Sequence, residues 1–154
     1  MKFKGPMLVV KDIEIAKRFY TEVIGVRVIA DFGENATLTG GLALQTESSW
    51  ATFTKCTSDF FTYQGNVAEM YFEEEDFDGF LKKISTLEVE RVGEEMEMPW
   101  GQRVLRLYDP DKHIIEIGED MKVMMKRLYE TGLSIEQLAE KTFMSPKIVA
   151  KMLR

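Results

Sequence analysis

Hydrophobic and polar positions along this chain follow first a period of two, then of about 3.6, then of two again, and that succession occurs twice. Residues 3–10 predict a strand. Asp12 follows at a helix N-cap position, with Ile13, Ala16, Phe19, Tyr20 and Val23 spaced along one face and Gly25 at the stop. β-rich runs at 26–32, 36–39 and 42–46 come next, the last two joined by the hairpin dipeptide Gly40-Gly41. The stretch 47–65 breaks the rhythm: Trp50, Phe53, Phe60, Phe61 and Tyr63 stand among Ser and Thr with no clean period, which predicts an aromatic connector. The rhythm then returns as a strand at 66–72, a helix at 75–85 with Phe77, Phe80, Leu81 and Ile84 on one face, and a strand at 89–92. A loop around Pro99-Trp100-Gly101, a strand at 103–108, a turn at 109–112 and a strand at 113–118 complete it. Each half reads β-α-β-β-β. Residues 5–12 superpose on 66–73, and 40–45 on 111–116, so that Gln45 and Glu116 hold the same place in their modules.

A different pattern begins at 119. Met121, Met124, Met125 and Leu128 have helical spacing, Gly132 is a stop, Ser134 and Ser145 are N-caps, and Pro146 stands at a first helical position, predicting three short helices. The stretch 133–153 resembles a helix-turn-helix unit. This tail carries seven basic and five acidic residues, against 13 and 21 in residues 1–118.

Composition narrows the function classes. With 154 residues, 45% of them hydrophobic, the expected organisation is one α+β domain over 1–118 (modules 1–46 and 66–118, connector 47–65) and a helical tail over 119–154. A net charge of −6 repels phosphate backbones, so nucleic acid is not expected as a partner of the chain as a whole. The single cysteine, Cys56, excludes an internal disulfide framework and predicts a reducing, cytoplasmic setting. No run approaches the ~18 apolar residues of a membrane span, and no membrane partner is expected. His113 is the only histidine. Lying three residues before Glu116, it belongs on the opposite strand face, where it serves packing or hydrogen bonding.

Three segments together resemble the vicinal oxygen chelate superfamily, which includes lactoylglutathione lyase, extradiol dioxygenases and bleomycin resistance proteins. They are Val10-Lys-Asp12 with Phe19-Tyr20 and Gly25, then Pro99-Trp100-Gly101-Gln-Arg103, and Tyr108-Asp-Pro-Asp-Lys-His-Ile-Ile-Glu116. The resemblance covers residues 3 to about 118; Lys112 stands where glycine is usual. It implies that the two modules curve into a half-open barrel around a ligand-binding cup, and that a divalent metal would sit at positions 5, 45, 66 and 116. Here those are Gly5, Gln45, Asn66 and Glu116, a poor set for a metal that wants imidazole and carboxylate. No cofactor or metal is therefore expected; if there were one, Gln45 and Glu116 would hold it.

The expected ligand site is Gln45, Trp50, Phe53, Phe60, Asn66, Trp100, Arg103 and Glu116, with Phe61, Tyr63 and Tyr71 extending the aromatic wall. Glu116 and Glu69 supply negative charge, and Glu116 is the residue on which any catalysis would rest. The reading that follows is a small-molecule binding or sequestering protein, paired as a homodimer. Two alternatives stand beside it: a metal-dependent lyase or isomerase of the lactoylglutathione lyase type, and a ligand-sensing regulator that binds DNA through its C-terminal helices. Against the last, residues 147–154 offer three basic side chains and lack polar base-reading ones.

Overall fold

A computed structural model of the chain describes all residues apart from the side chain of Ser58. Two compact units share the chain: residues 1–67 with the turn 109–113, and residues 68–108 with 114–154.

The first unit opens with strand β1 (Met7–Val10) and helix α1 (Ile13–Arg18). Asp12 caps that helix by accepting from the backbone of Glu14 and Ile15. The helix runs on into a wider π-helical turn, Phe19–Ile24, closed by Gly25 at φ 89°, a left-handed position that suits glycine. Strands β2 (Val28–Asp31), β3 (Asn35–Leu38) and β4 (Ala43–Thr46) follow. The sheet order is β1-β4-β3-β2, with β1 parallel to β4. Registered partners share a face, so Leu8, Leu44 and Ala36 form one buried row, while Val9, Gln45 and Asn35 occupy the other side.

The connector is more regular than its periodicity predicts. Helix α2 (Glu47–Thr54) starts at an N-cap made by Thr46, whose hydroxyl accepts from the Ser49 backbone, and ends at Lys55 in the left-handed conformation. Capping chemistry forms this helix; a buried apolar stripe does not, which is why hydrophobic spacing misses it. A 3-10 turn follows at Ser58–Phe60.

The second unit repeats the order. Strand β5 (Glu69–Glu74), helix α3 (Phe77–Ser85), and strands β6 (Met96–Glu97), β7 (Arg103–Tyr108) and β8 (Ile114–Glu119) make a sheet ordered β5-β8-β7-β6. Both sheets have the same order and the same parallel pairing of first and last strands, the topological signature of a tandem module. The strand expected at 89–92 is reduced to one bridge, Arg91 with Leu107, and the second strand of the module forms later, at β6. Phe77, Phe80 and Ile84 of α3 are buried, as are Leu105, Leu107, Ile115 and Ile117 of the strands. Burial of these side chains is worth roughly 1.5–3 kcal/mol each.

Helices α4 (Met121–Glu130), α5 (Ile135–Thr142) and α6 (Pro146–Met152) complete the second unit. Met124, Met125, Leu128, Leu138, Ala139 and Val149 form their shared core, and Trp100 packs against it. Ser134 and Gln137 close a capping box on α5. Among the described residues no helix is long and apolar enough to cross a membrane.

Candidate functional site

In the first unit, Gln45 is buried on the non-core face of the sheet, and its Nε2 donates to Ser49 Oγ at 3.1 Å. Ser49 is tied in turn to Thr46, and Thr46 and Ser48 both donate to Glu34 Oε1, so the start of α2 is cross-linked to the loop before β3. The rings of the connector form a chain: Trp50 stacks on Phe60 at 5.5 Å and meets Phe61 edge-on, and Phe61 stacks on Tyr63 at 6.3 Å. Tyr63 links this cluster to charge. Its hydroxyl donates to Glu47 Oε2 at 2.6 Å, and the Lys11 ammonium lies 4.2 Å above its ring. Burial first, and then Glu47, push the Tyr63 phenol above its ordinary value. A cavity of about 400 Å³ is lined by Lys11, Glu47, Ser48 and Ala51.

The turn 109–113 carries a second polar knot. Asp109 Oδ2 accepts from the buried Tyr20 hydroxyl at 3.0 Å and faces His113 Nδ1 at 2.8 Å, while Asp111 Oδ2 accepts from the Lys11 backbone at 3.2 Å. Lys112, where the superfamily favours glycine, takes φ 70°, so the turn keeps its left-handed step at the cost of a side chain there. The lone histidine is thus committed to the turn that joins β7 to β8.

In the second unit, Glu116 shares a sheet face with its registered partners Tyr71 and Arg106. Arg106 forms an ion pair with Glu116 and donates Nε to Glu69 Oε2 at 3.0 Å, so one guanidinium holds two carboxylates. Burial pushes the Glu116 carboxyl up; Arg106 opposes that and Glu69 adds to it.

Several expected site residues lie elsewhere. Asn66 is exposed just ahead of the bend that precedes β5, and the acidic residue that shares Arg106 with Glu116 is Glu69, the first residue of a strand that starts three residues later than the hydrophobic pattern suggests. Phe53 points to solvent at 76% exposure, outside the ring cluster. Trp100 turns to the helical tail, donating Nε1 to Gln102 Oε1. Arg103 lies an odd number of residues from Arg106, hence on the α3 side of the sheet, where it pairs with Asp78 at 2.7 Å and Glu119 at 3.3 Å and covers the Phe77 ring. Arg106 itself is legible by counting back from the hairpin turn to the position opposite Glu116. Lys11 and Glu47 carry no such signal, since only the fold brings them together, at Tyr63 and on one cavity wall.

The positions at which the fold family holds a divalent metal do not fit one here. An added Cβ at Gly5 would stand 2.2 Å from the Gly41 carbonyl oxygen, so position 5 has neither a donor nor room for one. Gln45 offers a neutral amide, and Glu116 is already paired with a guanidinium, a poor neighbour for a second cation. Among the described residues no group of three or more His, Cys, Asp or Glu is placed to hold a metal ion.

The profile of the family described as a glyoxalase-like domain matches residues 3–122. A protein of unknown function from Agrobacterium tumefaciens is 32% identical, with a TM-score of 0.69, over 79% of this chain and 95% of its own. A glyoxalase-related enzyme from Fulvimarina pelagi is 18% identical (TM-score 0.64, 77% and 88%), and a lactoylglutathione lyase from A. tumefaciens 22% identical (TM-score 0.58, 77% and 96%). These two share the fold. None of the curated proteins matches. With its doubled β-α-β-β-β order and the family match over residues 3–122, the chain belongs to the glyoxalase-like family of the vicinal oxygen chelate superfamily.

Proposed function

We propose that the chain binds a small organic ligand carrying an anionic group and a flat apolar body, and that it does so without a resident metal. The observation that carries this reading is the cavity beside Lys11, Glu47 and Ser48, whose charged rim continues through Tyr63 into the Trp50, Phe60 and Phe61 rings. Lys11 forms no ion pair with a carboxylate among the described residues, so its ammonium is available to an anion, while Ser48 and Glu47 offer hydrogen bonds that fix orientation. The acidic side chains first expected to attract a cationic ligand, Glu69 and Glu116, are both engaged by Arg106. A homodimer is part of the same reading and is checked by sedimentation equilibrium.

Calorimetric titration with benzoate and phenyl phosphate, with benzylamine as the cationic comparison, tests the ligand class. Binding of the anions that weakens at least about tenfold in Lys11→Met supports the reading, that being the scale of a lost charge-assisted contact. Tighter binding of benzylamine, or no effect of Lys11→Met, overturns it. Elemental analysis of purified protein tests the second half: stoichiometric Ni, Zn, Mn or Fe would favour the lyase or isomerase chemistry instead.

A further inference from the structure

The family match ends at residue 122, so nearly all of the three-helix tail lies outside the shared fold. The tail has its own apolar core, and its last two helices are joined by a short turn in which Phe143 takes the left-handed conformation at φ 58°. Leu138, Ala139 and Thr142 of α5 and Val149 of α6 face inward. That leaves the other side of α6 uncovered: Lys147, Ile148 and Lys151 are exposed, as is Arg154 just beyond.

Charge is distributed unevenly across the molecule. Residues 141–154 contain four basic residues and no acidic one, in a chain whose net charge is −6. Of those four, Lys141 is anchored to the Pro99 carbonyl oxygen. Lys147, Lys151 and Arg154 form no ion pair among the described residues. Lys147 and Lys151 are one helical turn apart, opposite Val149, and Arg154 follows two residues beyond the end of the helix.

We propose that the exposed face of α6 docks on duplex DNA, with α6 entering the major groove and α5 crossing above it. Shape and charge both fit this occupant. A helix about 10–12 Å across with its side chains fits a groove about 12 Å wide, and a helix pair held at a tight turn by its own core presents the second helix as a rigid ridge. The three cations meet phosphates, and Ile148, 49% exposed between them, suits a thymine methyl. An anionic membrane surface is the competing partner for a basic, partly apolar face, but α6 is too short and too polar on its outer side to bury an apolar stripe in lipid.

Fluorescence anisotropy of the full chain with a labelled duplex of about 20 base pairs, drawn from a randomised pool, is the test. Three phosphate contacts predict a slope of about −2.7 in log affinity against log salt, a loss of about 40-fold between roughly 50 and 200 mM. Lys147→Glu/Lys151→Glu/Arg154→Glu abolishes binding; the milder Lys147→Gln/Lys151→Gln/Arg154→Gln weakens it and flattens the slope toward zero, with helix content checked by circular dichroism. Lys2→Glu/Lys4→Glu/Lys82→Glu, which changes net charge equally at other exposed positions, leaves it within about twofold. Equal loss in that control, no binding at the lower salt, or cosedimentation with phosphatidylserine vesicles in the absence of duplex binding overturns the proposal.

Discussion

Replacing Arg127 with Met tests how the tail is fastened to its unit. The Glu119 side chain is fully buried, and Arg127 grips it with two hydrogen bonds, Nε to Oε1 at 2.9 Å and Nη2 to Oε2 at 2.7 Å. The same guanidinium donates to the Gly101 carbonyl oxygen at 2.7 Å, and Arg103 adds a longer contact to Glu119 at 3.3 Å. Removing one partner of a buried pair costs about 3–5 kcal/mol, because the carboxylate that remains has lost water and its counter-charge together. Two features reduce that figure: Arg103 stays, and the Arg127 side chain is 32% exposed and so partly screened. The expected loss is about 2–3 kcal/mol at neutral pH, read as a lowered urea midpoint at unchanged slope. Burial by itself would raise the Glu119 carboxyl, but the hydrogen bonds from Arg127 and Arg103 win and hold it below its ordinary value. A lowered folded-state value stabilises above the unfolded value of about 4.5 and loses that contribution as pH falls through the folded one. In Arg127→Met burial pushes the carboxyl up instead, so the gap between variant and parent narrows on acidification. A difference under about 0.5 kcal/mol at neutral pH, or one that stays constant down to about pH 4, refutes the reasoning.

Two further predictions follow from other parts of the molecule. Phe143 is 91% exposed and left-handed at φ 58°, so Phe143→Gly removes a strained conformation while surrendering little contact; stability measured by urea titration should rise by about 0.5–1 kcal/mol, and a fall would mean that the ring packs usefully. Glu116 is raised by burial, with Arg106 opposing and Glu69 adding to the rise, so Arg106→Met should move its titration higher still; carboxyl carbon NMR, assigned with Glu116→Gln, would show an unchanged or lower midpoint if the ion pair is unimportant.

Much of the architecture was legible because it depends on local, periodic signals. Asp12, Ser134 and Ser145 cap their helices as side-chain chemistry requires, Gly25 supplies the left-handed stop, and the repeated β-α-β-β-β order emerges from the alternation of periods alone. Helix α2 and the weak second strand of the second module were not legible, since one rests on caps without an apolar stripe and the other on where β7 finds a partner. The candidate site divides along the same line. Gln45 and Glu116 could be matched by counting from two hairpin turns. Trp100 and Arg103 fit a site by residue type, but what they touch follows from packing against the tail and from strand parity, which set Trp100 against the helical core and Arg103 against Asp78 and Glu119.

By itself, then, the sequence determined the doubled module, the helical tail and the absence of imidazole from the superfamily's metal positions, all of which depend on residue identity and spacing along the chain. Tertiary structure alone decided that the Gly41 carbonyl fills the space a donor at position 5 would need, that Arg106 is shared between Glu116 and Glu69, and that Lys11 and Glu47 meet across one tyrosine. Those are contacts between residues far apart in the chain, and no local period encodes which side chains the fold brings together.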